Sequence, residues 1–123
     1  MAVFTGKTSV TKTDFVLTDD DVDETAIDDV FGGSATIYTM FMEVPSGTTY
    51  LKLYDNASPT VGTTAPDCIF KLTEAVSWTI IEGLEFTNFS YAAVSGTEGG
   101  DPGNGTGGTT SPAVTVQLHA VVR

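Results

Sequence analysis

The chain is poor in the residues that most catalytic and metal-binding chemistry draws on. It has one cysteine, Cys68, and one histidine, His119. A single cysteine cannot close an internal disulfide, and a single histidine cannot build a metal site alone. Basic residues are scarce too: five Lys and Arg stand against 16 Asp and Glu, a net charge of −11. That balance excludes a nucleic-acid binder working through its own phosphate contacts, and it opposes docking on anionic membranes. No apolar run approaches the roughly 20 residues needed to span a bilayer. Met1 leads through Phe4, Lys7 and Lys12 without an apolar stretch, so no signal peptide is expected there. Charged residues total only 17%, below the usual quarter, which makes the surface polar rather than ionic.

What is present is a globular composition. Hydrophobic residues make up 41% of 123. A chain of this length is expected to form one domain, residues 1–123, burying about two-thirds of its unfolded surface. Periodicity points to strands almost throughout. Val114, Val116, Leu118, Ala120 and Val122 alternate with Thr115, Gln117, His119 and Val121, the period of two that builds one core face. Residues 49–55 alternate likewise, Leu51 and Leu53 opposing Tyr50, Lys52 and Tyr54. In 37–44, Tyr38, Met40, Met42 and Val44 oppose Ile37, Thr39, Phe41 and Glu43. Both faces there are bulky, so that strand is expected to be covered on two sides.

Further strands are predicted at 8–17, 67–72, 76–81, 84–87 and 89–94. Turn signals separate them: Pro45-Ser46-Gly47, Asn56-Ala57-Ser58-Pro59, Ala65-Pro66 and Glu82-Gly83. Short alternating strands punctuated in this way predict an all-β fold, an antiparallel β-sandwich of the jelly-roll type. A helix has one candidate, residues 19–31, where Val22, Ala26, Ile27 and Val30 offer a short stripe with Thr18 as cap. A single turn or an extended loop fits equally.

Two segments depart from the strand pattern. Within 1–33, an N-terminal strand leads into an acidic run in which Asp19, Asp20, Asp21, Asp23, Glu24, Asp28 and Asp29 fall within eleven residues. Residues 95–111 form a loop with seven of the chain's thirteen glycines. Ordering so much glycine is entropically costly, so contacts with neighbouring molecules are expected to hold it.

The acids invite a calcium reading, with Asp19, Asp21 and Asp23 at positions one, three and five of an EF-hand-like loop. Position six is Glu24 instead of glycine and position twelve is Val30 instead of glutamate, so no metal is expected. His119 lies inside a strand without a nucleophile beside it in sequence, and Cys68 is expected to be a buried, inert thiol next to Ile69 and Phe70. Glu43, Glu74, Glu82 and Glu85 are scattered without the pairing that glycoside hydrolysis needs. The glycine-rich loop lacks the Gly-Lys-Ser/Thr ending of a phosphate cradle. Asn56, Asn88 and Asn104 sit in glycosylation-like triplets that read as chance matches in a Thr/Ser-rich chain. For sugar stacking the candidates are Tyr50, Tyr54 and Trp78; core packing suits Trp78 better, while Tyr50 and Tyr54 are expected to be exposed with Lys52. The residues thus lead to the expectation of a protein that is not an enzyme and holds no cofactor.

The stretch 49–66, reading Tyr50-Leu51-Lys52-Leu53-Tyr54-Asp55 and then Pro59-Thr60-Val61-Gly62-Thr63 up to Pro66, resembles small structural proteins of tailed bacteriophages. Continuations of the same kind follow at Cys68 to Leu72, at Gly83-Leu84-Glu85-Phe86 and at Tyr91-Ala92. The resemblance covers about residues 34–123 and leaves the acidic run outside. It implies a virion component on the capsid surface, above all a decoration (cement) protein bound to the assembled shell. Its partners would be the major capsid protein and, as such proteins often do, further copies of itself in a homotrimer. A head-fibre base, a tail accessory protein or a carbohydrate-binding β-sandwich module is the alternative. The expected shell contacts are Asp20, Asp21 and Asp23, with the hydrophobic Phe31 and Phe4 beside them.

Overall fold

Alternating apolar residues pair into sheets wherever the sequence pattern is regular. The computed structural model describes residues 3–7, 15–43, 47–95, 108, 112 and 117–122. Eight strands result: β1 (Val3–Lys7), β2 (Phe15–Asp19), β3 (Ala35–Glu43), β4 (Thr49–Asp55), β5 (Cys68–Leu72), β6 (Val76–Phe86), β7 (Phe89–Ser95) and β8 (Gln117–Val122). All pair antiparallel, in a larger sheet ordered β1-β2-β8-β3-β6 and a smaller one ordered β5-β4-β7. No helix occurs among the described residues. The helical stripe at 19–31 does not form, and Thr18 belongs to β2.

Those residues instead run extended along the outer edge of β7. Ile27 and Tyr91 exchange backbone hydrogen bonds of 2.9 and 3.2 Å, Val30 N donates to Phe89 O at 2.9 Å, and Ala93 N donates to Asp23 O at 2.8 Å. Counting this strap, the layers read β2-β8-β3-β6 against strap-β7-β4-β5. From β2 to β8 the chain crosses between them at every step except from β4 to β5, which are neighbours in one layer, as in a jelly roll. The core lies where Leu17, Ile37 and Met40 of the larger sheet meet Leu51, Leu53 and Tyr91 of the smaller, all fully buried. Each such side chain contributes about 1.5–3 kcal/mol by leaving water.

Three expectations are corrected. A bulge between Ile37 and Thr39 shifts the phase of β3, so Ile37 and Met40 share the buried side. The opposite face of β3 is open: Glu43 is exposed, and Phe41 is 37% exposed. Glu82-Gly83 is no turn. The segments 76–81 and 84–87 join into the single strand β6, and Gly83 bends it with a φ of 82°. The strands buried on both faces are β7, where every residue is buried, and β4, where Lys52 and Tyr54 are as inaccessible as Leu51 and Leu53; Tyr50 is half-buried. The predicted exposure of Tyr54 and Lys52 therefore fails, because the smaller sheet is covered on its second face as well.

Where the turn chemistry is strong, local structure follows it. Asn56 Oδ1 accepts from Ser58 N at 2.8 Å, the side-chain-closed turn that asparagine favours. Expectations for 8–14, 44–46 and 113–116 lie outside the described residues, as do those for the glycine-rich segment, Ser95 and Gly108 apart, and for the side chain of Trp78.

Candidate functional site

The acidic run is held down by apolar residues whose spacing fits neither helix nor strand. Val22 is buried, and Ile27, Val30 and Phe31 pack partly buried against the core. The Phe31 ring stacks on Phe89, centroids 6.1 Å apart. With those groups turned inward, Asp20, Asp21 and Asp28 are exposed, and Asp23 and Glu24 are half-buried.

Asp19 is the exception among the acids, since it is wholly buried. Its Oδ1 accepts from Asp21 N at 3.0 Å and its Oδ2 accepts the Tyr91 hydroxyl at 2.7 Å. That hydroxyl ties the end of β2 in one sheet to the middle of β7 in the other. Burial holds the Asp19 carboxyl above its ordinary value of 3.8, outweighing both hydrogen bonds. Burial, and then the carboxyl itself, raise the Tyr91 phenol, which stays a proton donor throughout the physiological range. Asp29 has a left-handed backbone, φ 40°, and donates its N–H to Ser90 Oγ at 2.8 Å, while its Oδ1 is buried without a partner among the described residues. Such a conformation costs a non-glycine residue about 1 kcal/mol, offset here by the pairing on either side.

The expected contact residues are only partly brought together. Asp20, Asp21 and Asp23 follow directly on β2, and the register Phe4↔Thr18, Val3↔Asp19 lays β1 beside that point. Phe31 lies at the other end of β7, engaged with its own core. Asp23 closes a local turn, its Oδ1 accepting from Thr25 N at 2.8 Å.

A second acidic cluster works as backbone caps. Asp55 Oδ1 accepts from Thr87 N and Asn88 N, both at 2.8 Å, and Asp55 N donates to Asp67 Oδ2 at 2.7 Å. Asn56 N donates to Asn88 O at 2.9 Å, and Ser90 Oγ donates to Asn56 O. These bonds close the β6–β7 hairpin onto the end of β4. The sequence shows the acids but not this use of them.

Other candidate chemistry is dispersed. Glu43, Glu74, Glu82 and Glu85 are all exposed, on β3, on the β5–β6 turn and along β6. In β8, His119 pairs with Thr18 and Phe41 by register. Among the described residues no three His, Cys, Asp or Glu side chains converge as a metal group. Cys68 is half-buried rather than buried, and burial followed by Asp67 raises its pKa. A thiol reagent is therefore expected to react slowly at neutral pH and at least about tenfold faster in denaturant. Equal rates would show the thiol to be open already. A shallow depression of about 410 Å³ is lined by Ser34, Ala35, Thr36, Glu85, Phe86 and Thr87. Phe86 is only 5% exposed, so the depression offers hydroxyls without an aromatic platform. Compared with known proteins, the chain matches no family model, no curated protein and no solved structure.

Proposed function

We propose that the protein is a non-enzymatic structural component of a tailed-phage virion, a decoration protein on the capsid surface that binds the major capsid protein of the assembled shell. The resemblance of 49–66 to such proteins supports this reading, and so does a jelly roll whose described polar side chains largely serve its own backbone. The observation that carries it is the strap. It pins exposed acids along a sheet edge at fixed positions, where a mobile acidic loop would scatter them. Asp20, Asp21 and Asp23 would select orientation and speed encounter with basic shell patches, with Phe4 in the adjoining strand; Phe31 holds the strap in place. The carbohydrate-binding alternative loses part of its platform, since Tyr54 is fully buried.

The test replaces Asp20, Asp21 and Asp23 by Asn, which keeps the turn acceptor at position 23 and removes three charges. Wild-type occupancy of purified capsids is expected to fall as salt rises. The triple variant is expected to bind at least about tenfold more weakly at low salt, with a flatter salt response. Equal occupancy and equal salt response would remove the strap from the contact. Sedimentation with tails and not with heads would move the protein to another part of the virion.

A further inference from the structure

The two layers differ on their outward faces. The smaller sheet is covered there, since Lys52, Tyr54, Ala92 and Val94, on the side away from Leu51 and Leu53, are all buried. The larger sheet is open, with Glu43, Ser77 and Thr79 exposed. Register draws one continuous row across its five strands: Phe4, Thr18, His119, Phe41 and Ser77 stand side by side. Paired residues share a face, so Phe4 and Phe41 are placed on the same side, three strand spacings or about 14 Å apart. Phe41 is the large hydrophobic exposed among the described residues. The next row, from Gly6 on β1 to Thr79 on β6, carries no charged residue. Charge lies toward the ends of the face. At one end are Glu43 and, just past β2, Asp20; at the other is Glu85, paired with Thr36, and all three are exposed. Among the described residues the face has no lysine or arginine. Lys7 alternates with Thr5 to the side of the buried Leu17, and Lys52 and Lys71 belong to the smaller sheet.

Resting on the capsid-surface role proposed above, we infer that the outward face of the larger sheet is the shell-docking surface, with the row from Phe4 to Phe41 as its apolar centre and the acids at its ends as its rim. The occupant is a patch of the major capsid protein with an apolar centre bordered by lysine or arginine. Continuity supports this: Phe4 and Asp20 already stand among the expected contacts, and Phe41 carries the same surface two strands further. Anatomy supports it as well, because contacts between proteins concentrate affinity in a central anchor and leave orientation to a polar rim. Charge decides between a shell and a second copy. Acids stand at both ends of the face, so a copy laid on it sets carboxylates against carboxylates whichever way its strands run. A basic rim is complementary in both orientations.

The experiment measures capsid occupancy of the full chain across a salt series, and its mass in solution by light scattering. Phe41→Ala is expected to bind at least about tenfold more weakly at every salt concentration, with the salt slope of the wild type kept. The Asn variant of Asp20, Asp21 and Asp23 differs in kind, because it loses slope. Ser77→Lys adds bulk to the row and a charge of the same sign as the partner's rim, and it should weaken binding by a similar factor. It decides the matter if Phe41→Ala melts below the wild type. Wild-type occupancy by both variants overturns the inference, and the capsid role survives that result if the Asn variant still binds weakly with a flattened slope. A wild type that binds no capsid overturns both. Variants that change the mass in solution and leave capsid occupancy unchanged give the face to a second copy and overturn the assignment.

Discussion

Tyr91→Ala is expected to lower stability by about 4–6 kcal/mol, a large share of the roughly 5–15 kcal/mol that holds a domain folded. The ring is fully buried and stacks on Phe89, centroids 5.6 Å apart, so its loss opens a cavity between the sheets. Its hydroxyl is also the donor to Asp19 Oδ2, and removing it leaves a buried carboxyl oxygen without that partner. Tyr91→Phe isolates the second effect and should cost about 1.5–3 kcal/mol, the range for hydrogen bonds to charged groups. Chemical denaturation of both variants provides the check. A cost below about 0.5 kcal/mol for Tyr91→Phe would mean the bond contributes nothing net.

The same pair sets a pH dependence of unusual sign. The folded-state pKa of Asp19 lies above its ordinary value, so the folded protein takes up this proton before the unfolded chain does. Stability from this group therefore rises as pH falls through the raised pKa toward 3.8 and is lost as pH rises through that window. Asp19→Asn should abolish that component, so the difference between wild type and variant should change with pH only across the window.

Gly83→Ala is expected to cost about 3–4 kcal/mol, an unusually large penalty for one added methyl group. Two causes act together. The backbone sits at φ 82°, where a Cβ is strained, and a Cβ there would collide with the Thr36 side-chain methyl and crowd the Tyr38 ring. Gly47 separates them, because its φ of 77° is similar but nothing lies within 4 Å of an added Cβ. Gly47→Ala should therefore cost only about 1 kcal/mol. Thr36→Ser removes the colliding methyl and should recover part of the loss in a double variant with Gly83→Ala. Equal costs at the two glycines would mean that β6 shifts to relieve the contact.

The same glycine shows where the sequence misleads. Glu82-Gly83 carries the signature of a hairpin turn, yet left-handed glycine serves a bulge as well as a turn. What distinguishes them is whether the flanking segments pair with each other or with a third strand. Here both pair with β3, which has its own irregularity between Ile37 and Thr39, and that correspondence is written nowhere in the local sequence. β4 was legible to its C-terminal end because Asn56 closes the turn that follows it with a local side-chain hydrogen bond from Ser58 N. The burial of Lys52 and Tyr54 was not, since alternation separates two faces without saying whether both are covered. In the acidic run the charges were plain. Their support was not, because Val22, Ile27, Val30 and Phe31 follow the edge of β7, a strand some sixty residues further along the chain.

The order β1-β2-β8-β3-β6 has a consequence for synthesis and engineering. β8 is the last of the eight strands to be made, yet it lies in the middle of the larger sheet, paired with β2 and β3. Until it is added, the two strands on either side of it have open inward edges, and the layer that covers the core is divided. A nascent chain thus holds a strand-wide slot until translation reaches Gln117 and beyond. A chain cut before that strand would keep the slot, and a separately supplied peptide spanning Gln117–Val122 is the natural insert to close it.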